Sequence, residues 1–387
     1  MQIARSFTYL TSHVTMISPI VRGNYHHKRL LLSSINLRAS STLTTSTSTL
    51  SSTSTSTLSS TSTPTPTPNT LNIRSTKPRT IRSPTYNPRQ TFRMASNSAN
   101  APLTRDKLFD LKGRVALVSG GGSGIGLMAT QALVANGAKV YITGRTKEKL
   151  DRVVKLYSEG EGSIIPMQCD MSDKEQIAHL VKEISAREPC LCILINNAGI
   201  SGATLQTEAS SASEMKANLF DNEKATFDDW VNTYRTNVPQ IYFATAAFLP
   251  LLQKSSERHH GWSGTVVNIS SISGLVQTAQ HHFAYNASKA AAIQLTRMMA
   301  SEIAKNGLKI RVNSIAPGVF PSEMTTEGSG EDQKSAIERE KYAKKVPAGR
   351  PGKDEDMAQA VLFFVANQYL NGQTLAVDGG YTLAAGQ

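Results

Sequence analysis

From Asp110 onward the chain alternates short β-branched and apolar runs with longer segments of mixed polarity. The runs are Arg114–Ser119, Lys139–Thr143, Ile164–Cys169, Leu191–Asn196, Gly264–Ile269, Ile310–Ile315 and Leu375–Asp378. Each is near-continuously apolar instead of alternating, as expected of strands covered on both faces. The stretches between them are long enough for helices, beginning with one that follows a glycine cluster and runs through Ala135. Strand and helix in regular alternation predict βαβ units, and so an α/β fold with one doubly wound parallel sheet spanning residues 101–387.

Residues 1–100 read differently. They contain no Asp or Glu and 11 Lys+Arg, and residues 40–68 are almost entirely Ser and Thr. So little apolar surface cannot offset the entropy of ordering the chain, so this leader is expected to be disordered. Its basic, acid-free composition fits a transit peptide. Met94-Ala95-Ser96, shortly before the first strand, fits equally well as a start codon following an over-extended leader. A retained disordered arm is the third reading. Location follows the choice: mitochondrial for a transit peptide, cytoplasmic otherwise.

Removing the leader changes the charge picture. The chain's formal charge of +12 falls to +1, because residues 101–387 hold 30 basic and 29 acidic side chains. A folded surface this balanced argues against nucleic acid as a partner. No run of about 18 apolar residues occurs, which argues against a membrane span. Three cysteines in 387 residues exclude a disulfide scaffold.

The glycine cluster is Ser119-Gly120-Gly121-Gly122-Ser123-Gly124-Ile125-Gly126-Leu127. Between a strand and a helix, Gly120, Gly124 and Gly126 allow a tight turn, close approach of backbone to a pyrophosphate, and close packing of the helix. The helix start then faces the phosphates with free N–H groups and partial positive charge, with Ser123 and Ile125 beside it. Further motifs follow in order: Asn196-Asn197-Ala198-Gly199, Tyr285-Asn286-Ala287-Ser288-Lys289, Pro317-Gly318 and Val377-Asp378-Gly379-Gly380. With these the chain resembles the short-chain dehydrogenase/reductase family from about Leu111 to Tyr381, and within it 3-oxoacyl-carrier-protein reductases and fungal secondary-metabolism reductases. The resemblance implies a Rossmann-type domain, a nicotinamide cofactor and a commonly dimeric or tetrameric assembly.

The second strand leads into Gly144-Arg145-Thr146-Lys147, with Gly144 where the family's NAD-selecting acid would stand. A guanidinium at Arg145 suits a 2′-phosphate, so NADP(H) is the expected cofactor. The resemblance places Asp170 and Met171 at the adenine. It sets Asn197, Ala198 and Gly199 along the cofactor's middle, with Pro317, Gly318, Phe320 and Ser322 toward the nicotinamide. Asn196 and Asn197 fit a structural role, tying strands together, equally well.

Tyr285 and Lys289 are spaced i, i+4, on one face of a helix, where an ammonium can ease ionisation of a phenol. The resemblance implies Tyr285 as proton donor to a carbonyl oxygen and Lys289 as its electrostatic partner and nicotinamide-ribose ligand. Ser271, three residues before Gly274, would orient that oxygen; Ser270 and Ser273 are the structural alternatives. Asn237 matches the family asparagine that holds a water linking the lysine to solvent, or else satisfies backbone within a helix. No metal is expected.

Cys169, Cys190 and Cys192 read as core thiols, and His259-His260 as a solvent loop. His281-His282 precedes Tyr285 and is a candidate for substrate contact. Residues 200–222 and 320–346 are expected to wall the substrate, the second as a lid. A hydrolase is disfavoured because no G-x-S-x-G elbow occurs. The expected activity is NADPH-dependent reduction of a 3-oxoacyl or polyketide-type ketone. The alternatives are secondary-alcohol oxidation with NAD(P)⁺ and a non-catalytic nucleotide-binding scaffold.

Overall fold

The structure, a computed structural model, describes residues 99–386 except residue 327. Nearly all of the Ser/Thr-rich leader, including the alternative start at Met94, lies outside the described residues. Seven strands appear: β1 Val115–Ser119, β2 Lys139–Gly144, β3 Ser163–Gln168, β4 Ile193–Asn196, β5 Gly264–Ile269, β6 Ile310–Pro317 and β7 Thr374–Val377. The helices are α1 Arg105–Leu108, α2 Gly124–Ala135, α3 Lys147–Tyr157, α4 Lys174–Arg187, α5 Ala212–Leu219, α6 Phe227–Asn237, α7 Pro239–Arg258, α8 Phe283–Lys305, α9 Arg339–Ala343, α10 Asp354–Ala366 and α11 Tyr381–Ala385.

All pairings are parallel, in the order β3-β2-β1-β4-β5-β6-β7. The strand direction of growth reverses between β1 and β4, which opens a crevice beyond their C-terminal ends. Every residue of β1, β4, β5 and β6 is buried. Side-chain alternation splits them between two cores. Ala116 and Val118 join Leu127, Leu133, Val361 and Phe364 on one face. Val115 and Leu117 join Ile177, Phe248 and Leu252 on the other. A seven-stranded parallel sheet with an apolar core on each face makes the doubly wound fold that the apolar runs foretold.

Local chemistry sets the helix ends around the crevice. Asp173 caps α4, accepting from the backbone N–H of Glu175 and Gln176, and Thr226 caps α6 by accepting from Asp229 N–H. Pro239 starts α7, where its missing N–H costs nothing. Asn237 therefore ends α6 instead of lying inside one long helix, and the break falls immediately beside the crevice. On the far side, the buried Arg311 guanidinium donates to the carbonyls of Phe364 (3.0 Å), Val365 (3.1 Å) and Leu370 (3.3 Å), fixing the end of α10 to β6. Among the described residues no helix is long and apolar enough to cross a membrane.

Candidate active site

The glycine turn is held from β4. Ser119 Oγ accepts from the N–H groups of Asn197 (2.9 Å) and Ala198 (3.1 Å). Asn197 Nδ2 returns bonds to the carbonyls of Ser119 (3.0 Å) and Gly120 (3.1 Å). Asn196 donates to Asn268 Oδ1 (2.8 Å) and Thr245 Oγ1 (3.1 Å), so both asparagines tie strands. Gly126 does not face the crevice. A Cβ there would lie 2.1 Å from the Gly120 carbonyl oxygen, so α2 rests directly on the turn. Gly120 has φ +64° and Gly124 φ +52°, a region that disfavours side chains.

A cavity of about 520 Å³ runs from this turn to Tyr285. Its wall contains Gly120, Ser123, Gly124, Ile125, Arg145, Asp170, Met171, Asn197, Ala198, Gly199, Ser271, Tyr285, Lys289, Pro317, Gly318, Phe320 and Ser322. Of the catalytic and cofactor residues expected from sequence, only Gly126 and Asn237 stand behind the wall. The start of α2 has no side-chain cap, so its first N–H groups are available to an anion. An uncapped helix start, a glycine cradle and an elongated cavity suit a dinucleotide.

At the end of the cavity beside β2 and β3, Asp170 Oδ1 accepts from Ser172 N–H (2.9 Å) and Oγ (2.8 Å). Arg145 is exposed and its carbonyl accepts from Gln168 Nε2 at 2.7 Å. At the other end, Gly318 packs on Asp378, where a Cβ would lie 2.7 Å from Asp378 Cα. The Asp378 carboxylate in turn accepts from Gly380 N–H (2.9 Å) and Thr382 N–H (2.7 Å), which accounts for the Asp-Gly-Gly motif as a structural turn.

The groups expected to react meet where β5 faces α8. Lys289 is 4% exposed, and its Nζ donates to the Ile269 carbonyl at 3.0 Å. The ammonium stands 5.6 Å from the Tyr285 ring centroid. Burial lowers the Lys289 pKa to about 8. Burial raises that of Tyr285, opposed by a hydrogen bond with Ser271. Ser271 Oγ also accepts from Ser273 N–H at 3.1 Å. Ser270 instead bonds Ser314 Oγ (2.7 Å) and the Ile315 carbonyl (2.9 Å) within the sheet, which leaves Ser271 as the serine beside the phenol. Asn237 is fully engaged. Its Nδ2 donates to the Ile200 carbonyl (2.9 Å) and Ser288 Oγ (3.0 Å), and its Oδ1 accepts from Ile200 N–H (2.9 Å).

The 200–222 segment contains the exposed helix α5 and is joined to the turn before α8. His281 N–H is not the link; its carbonyl accepts from Leu205 N–H at 2.9 Å, and its Nδ1 lies 3.2 Å from Leu205 O and Thr207 Oγ1. Gln280 and His281 have φ +52° and +67°. His281 and His282 are absent from the cavity wall, although the His282 ring packs edge-on to Tyr285 at 6.4 Å.

Lys149, Gln240 and Glu323 line the cavity and were not singled out from sequence, because each joins the site through contacts with no local motif. Gln240 is buried, donates from Nε2 to the Ala198 carbonyl at 2.6 Å, and leaves its Oε1 without a partner. Away from the crevice, His259 caps α7 and brings Nε2 to 3.8 Å from Cys190 Sγ, with Cys192 in the same cluster. The three thiols are buried and unpaired by disulfides, as core residues should be, but His259 is not the solvent-loop residue expected.

A family described as short chain dehydrogenase matches residues 114–333. The short-chain dehydrogenase/reductase PhomF of Diaporthe leptostromiformis is 38% identical over 290 residues, covering 74% of this chain and 97% of the relative. A rhamnolipids biosynthesis 3-oxoacyl-acyl-carrier-protein reductase of Pseudomonas aeruginosa is 36% identical over 282 residues, covering 71% and 98%. Among solved structures, the Pseudomonas aeruginosa RhlG/NADP active-site complex is similar at TM-score 0.58 and 31% identity, over 71% of this chain and 98% of that one. A 7α-hydroxysteroid dehydrogenase complexed with NADH and 7-oxo glycochenodeoxycholic acid is similar at TM-score 0.59 and 26% identity, over 72% and 97%.

Proposed function

The chain belongs to the short-chain dehydrogenase/reductase family, and from that premise we propose that it reduces a ketone of 3-oxoacyl or polyketide type to a secondary alcohol, using NADPH. The observation that carries the reading is the convergence of Ser271, Tyr285 and the buried Lys289 at one end of a dinucleotide-sized cavity. A binding scaffold has no use for an ammonium held out of water beside a phenol. The 3-oxoacyl relative supports the substrate class. Gly144 and Arg145 at the end of β2, together with the NADP complex of a relative, support the cofactor.

When bound, the nicotinamide supplies hydride to the carbonyl carbon. The protein's part is to bind, orient and protonate. Ser271 donates a hydrogen bond to the substrate oxygen and sets it against the Tyr285 hydroxyl. Tyr285 gives its proton to that oxygen as negative charge develops there. Lys289, while charged, favours the phenolate left behind. Asn237 holds the Ile200 peptide in place beside Gly199, where a Cβ would lie 3.1 Å from Asn237 Oδ1 and 3.5 Å from Lys289 Nζ. It thereby positions the path along which solvent returns the proton.

NADPH consumption by the purified chain with a short β-ketoacyl thioester tests the proposal. Turnover is expected, and Tyr285→Phe should lower kcat by about 10²–10⁴-fold while NADPH still binds. Equal turnover in the variant would remove Tyr285 from the chemistry. Retained NADPH binding with no turnover of any acyl or cyclic ketone would return the scaffold reading.

A further inference from the structure

We propose that the Glu323 carboxylate is a resident stand-in for a cofactor phosphate, seated on Lys149 and Ser123 until the dinucleotide displaces it. The inference rests on the cofactor reading above and adds the residues that hold the phosphate and the group that competes with it.

Glu323 lies in the segment after β6 and Lys149 in the first turn of α3, 174 positions apart in sequence, yet Lys149 Nζ donates to Glu323 Oε1 at 2.7 Å. The same carboxylate takes a short hydrogen bond from Ser329, and the hydroxyl of Ser123, the residue just before α2, helps hold its charge. All of Lys149, Ser123 and Glu323 belong to the cavity wall. The Glu323 segment lies directly on the glycine turn, since a Cβ on Gly124 would come within 2.8 Å of Ser322 Cβ.

An ammonium and a hydroxyl, set beside a helix start with no side-chain cap of its own, are what a phosphate asks for. What fills the seat is a carboxylate, the nearest analogue the chain can offer. Burial opposes the charge on Glu323, but the bonds from Lys149, Ser329 and Ser123 outweigh it and hold its pKa below the usual carboxylate range. Glu323 is therefore an anion at neutral pH. A second anion cannot share the seat, because two like charges in contact repel. Cofactor entry must then turn Glu323 outward, and Lys149 passes from carboxylate to phosphate. The pair is only partly shielded, with side-chain exposures of 42% and 34%, so the competition is modest and salt-sensitive.

The test is the dissociation constants of NADPH, NADH and 2′,5′-ADP with the full chain, for wild type, Glu323→Gln and Lys149→Met. Glu323→Gln is expected to tighten NADPH about 3–10-fold at low salt, with the gain shrinking as salt rises. Lys149→Met should weaken it by a similar factor. A gain confined to NADPH and 2′,5′-ADP identifies the seat as that of the 2′-phosphate; an equal gain for NADH identifies the diphosphate. Unchanged or weaker binding of all three by Glu323→Gln overturns the proposal and makes the pair a bystander or a clasp over bound cofactor. Wild type binding NADH at least as tightly as NADPH defeats the NADP reading alone, and the Glu323→Gln gain on NADH still decides the seat.

Discussion

Lys289 keeps an ammonium in a place that pulls its pKa from the usual 10.5 to about 8 through burial. Two consequences have opposite signs. For catalysis, the charged form helps Tyr285, so kcat/KM for ketone reduction should fall as pH rises through about 8, readable in a pH–rate profile. For stability, the unfolded chain holds this proton up to pH 10.5 while the folded one releases it near 8. The penalty is therefore fully present below pH 8 and relaxes between 8 and 10.5, amounting to at most about 3 kcal/mol. Lys289→Met is expected to abolish turnover while raising the urea midpoint at pH 7, with the gain shrinking by pH 9.5. A lower midpoint at pH 7 would mean that the Ile269 hydrogen bond outweighs desolvation. Tyr285 and Lys289 were legible in sequence through their i, i+4 spacing, and Ser271 through the resemblance of its loop to the family's. Lys149, Glu323 and Gln240 were not, since nothing local marks a pair that meets across most of the domain.

At the scale of elements, the serine loop and α8 touch backbone to backbone. A Cβ on Gly274 would lie 2.6 Å from Ala290 N and Lys289 C, inside the helix wall. Gly274→Ala should push α8 from the loop, part Ser271 from Tyr285, and lower kcat at least about tenfold, because small misplacements of reacting groups are costly. Steady-state kinetics with cofactor affinity measured alongside will separate this from loss of the cavity. Thr226→Ala removes the cap of α6 and should cost about 1 kcal/mol, seen as a lower thermal midpoint. Strand positions were legible from their continuous apolar runs, with ends shifted by one or two residues, as at β4, which begins at Ile193 instead of Leu191. Helix α5 was hidden: none of its residues is buried, so no apolar stripe announces it. The break at Asn237 was hidden too, although Pro239 and the cap at Thr226 were its signals.

For the whole molecule, the alternation of strand and helix made the layered architecture legible, but not the strand order, which depends on pairings that no single segment encodes. Arg311 shows how such long-range order is fixed. Arg311→Ala would take its donor from three carbonyls; the Leu370 oxygen keeps its bond from Asn313 Nδ2 and the Val365 oxygen its bond from Gln368 Nε2, so the expected cost is about 1–3 kcal/mol, a fall of a few degrees in Tm by calorimetry. On the cofactor reading proposed above, NADPH at about 100 times its Kd should offset most of that loss by mass action, as any ligand of the folded chain alone does. The left-handed turn at Gln280 and His281 has a wider implication. Each such residue costs roughly 1–3 kcal/mol unless its surroundings hold it. Here the holding contacts come from Leu205 and Thr207 on one side, and from Ser273 and Tyr381 through Gln280 on the other. The 200–222 segment and the 278–282 turn are thus coupled through these contacts. A chimera that receives either one from a relative should unfold earlier and turn over slowly, and one that receives both should recover with the donor's choice of ketone.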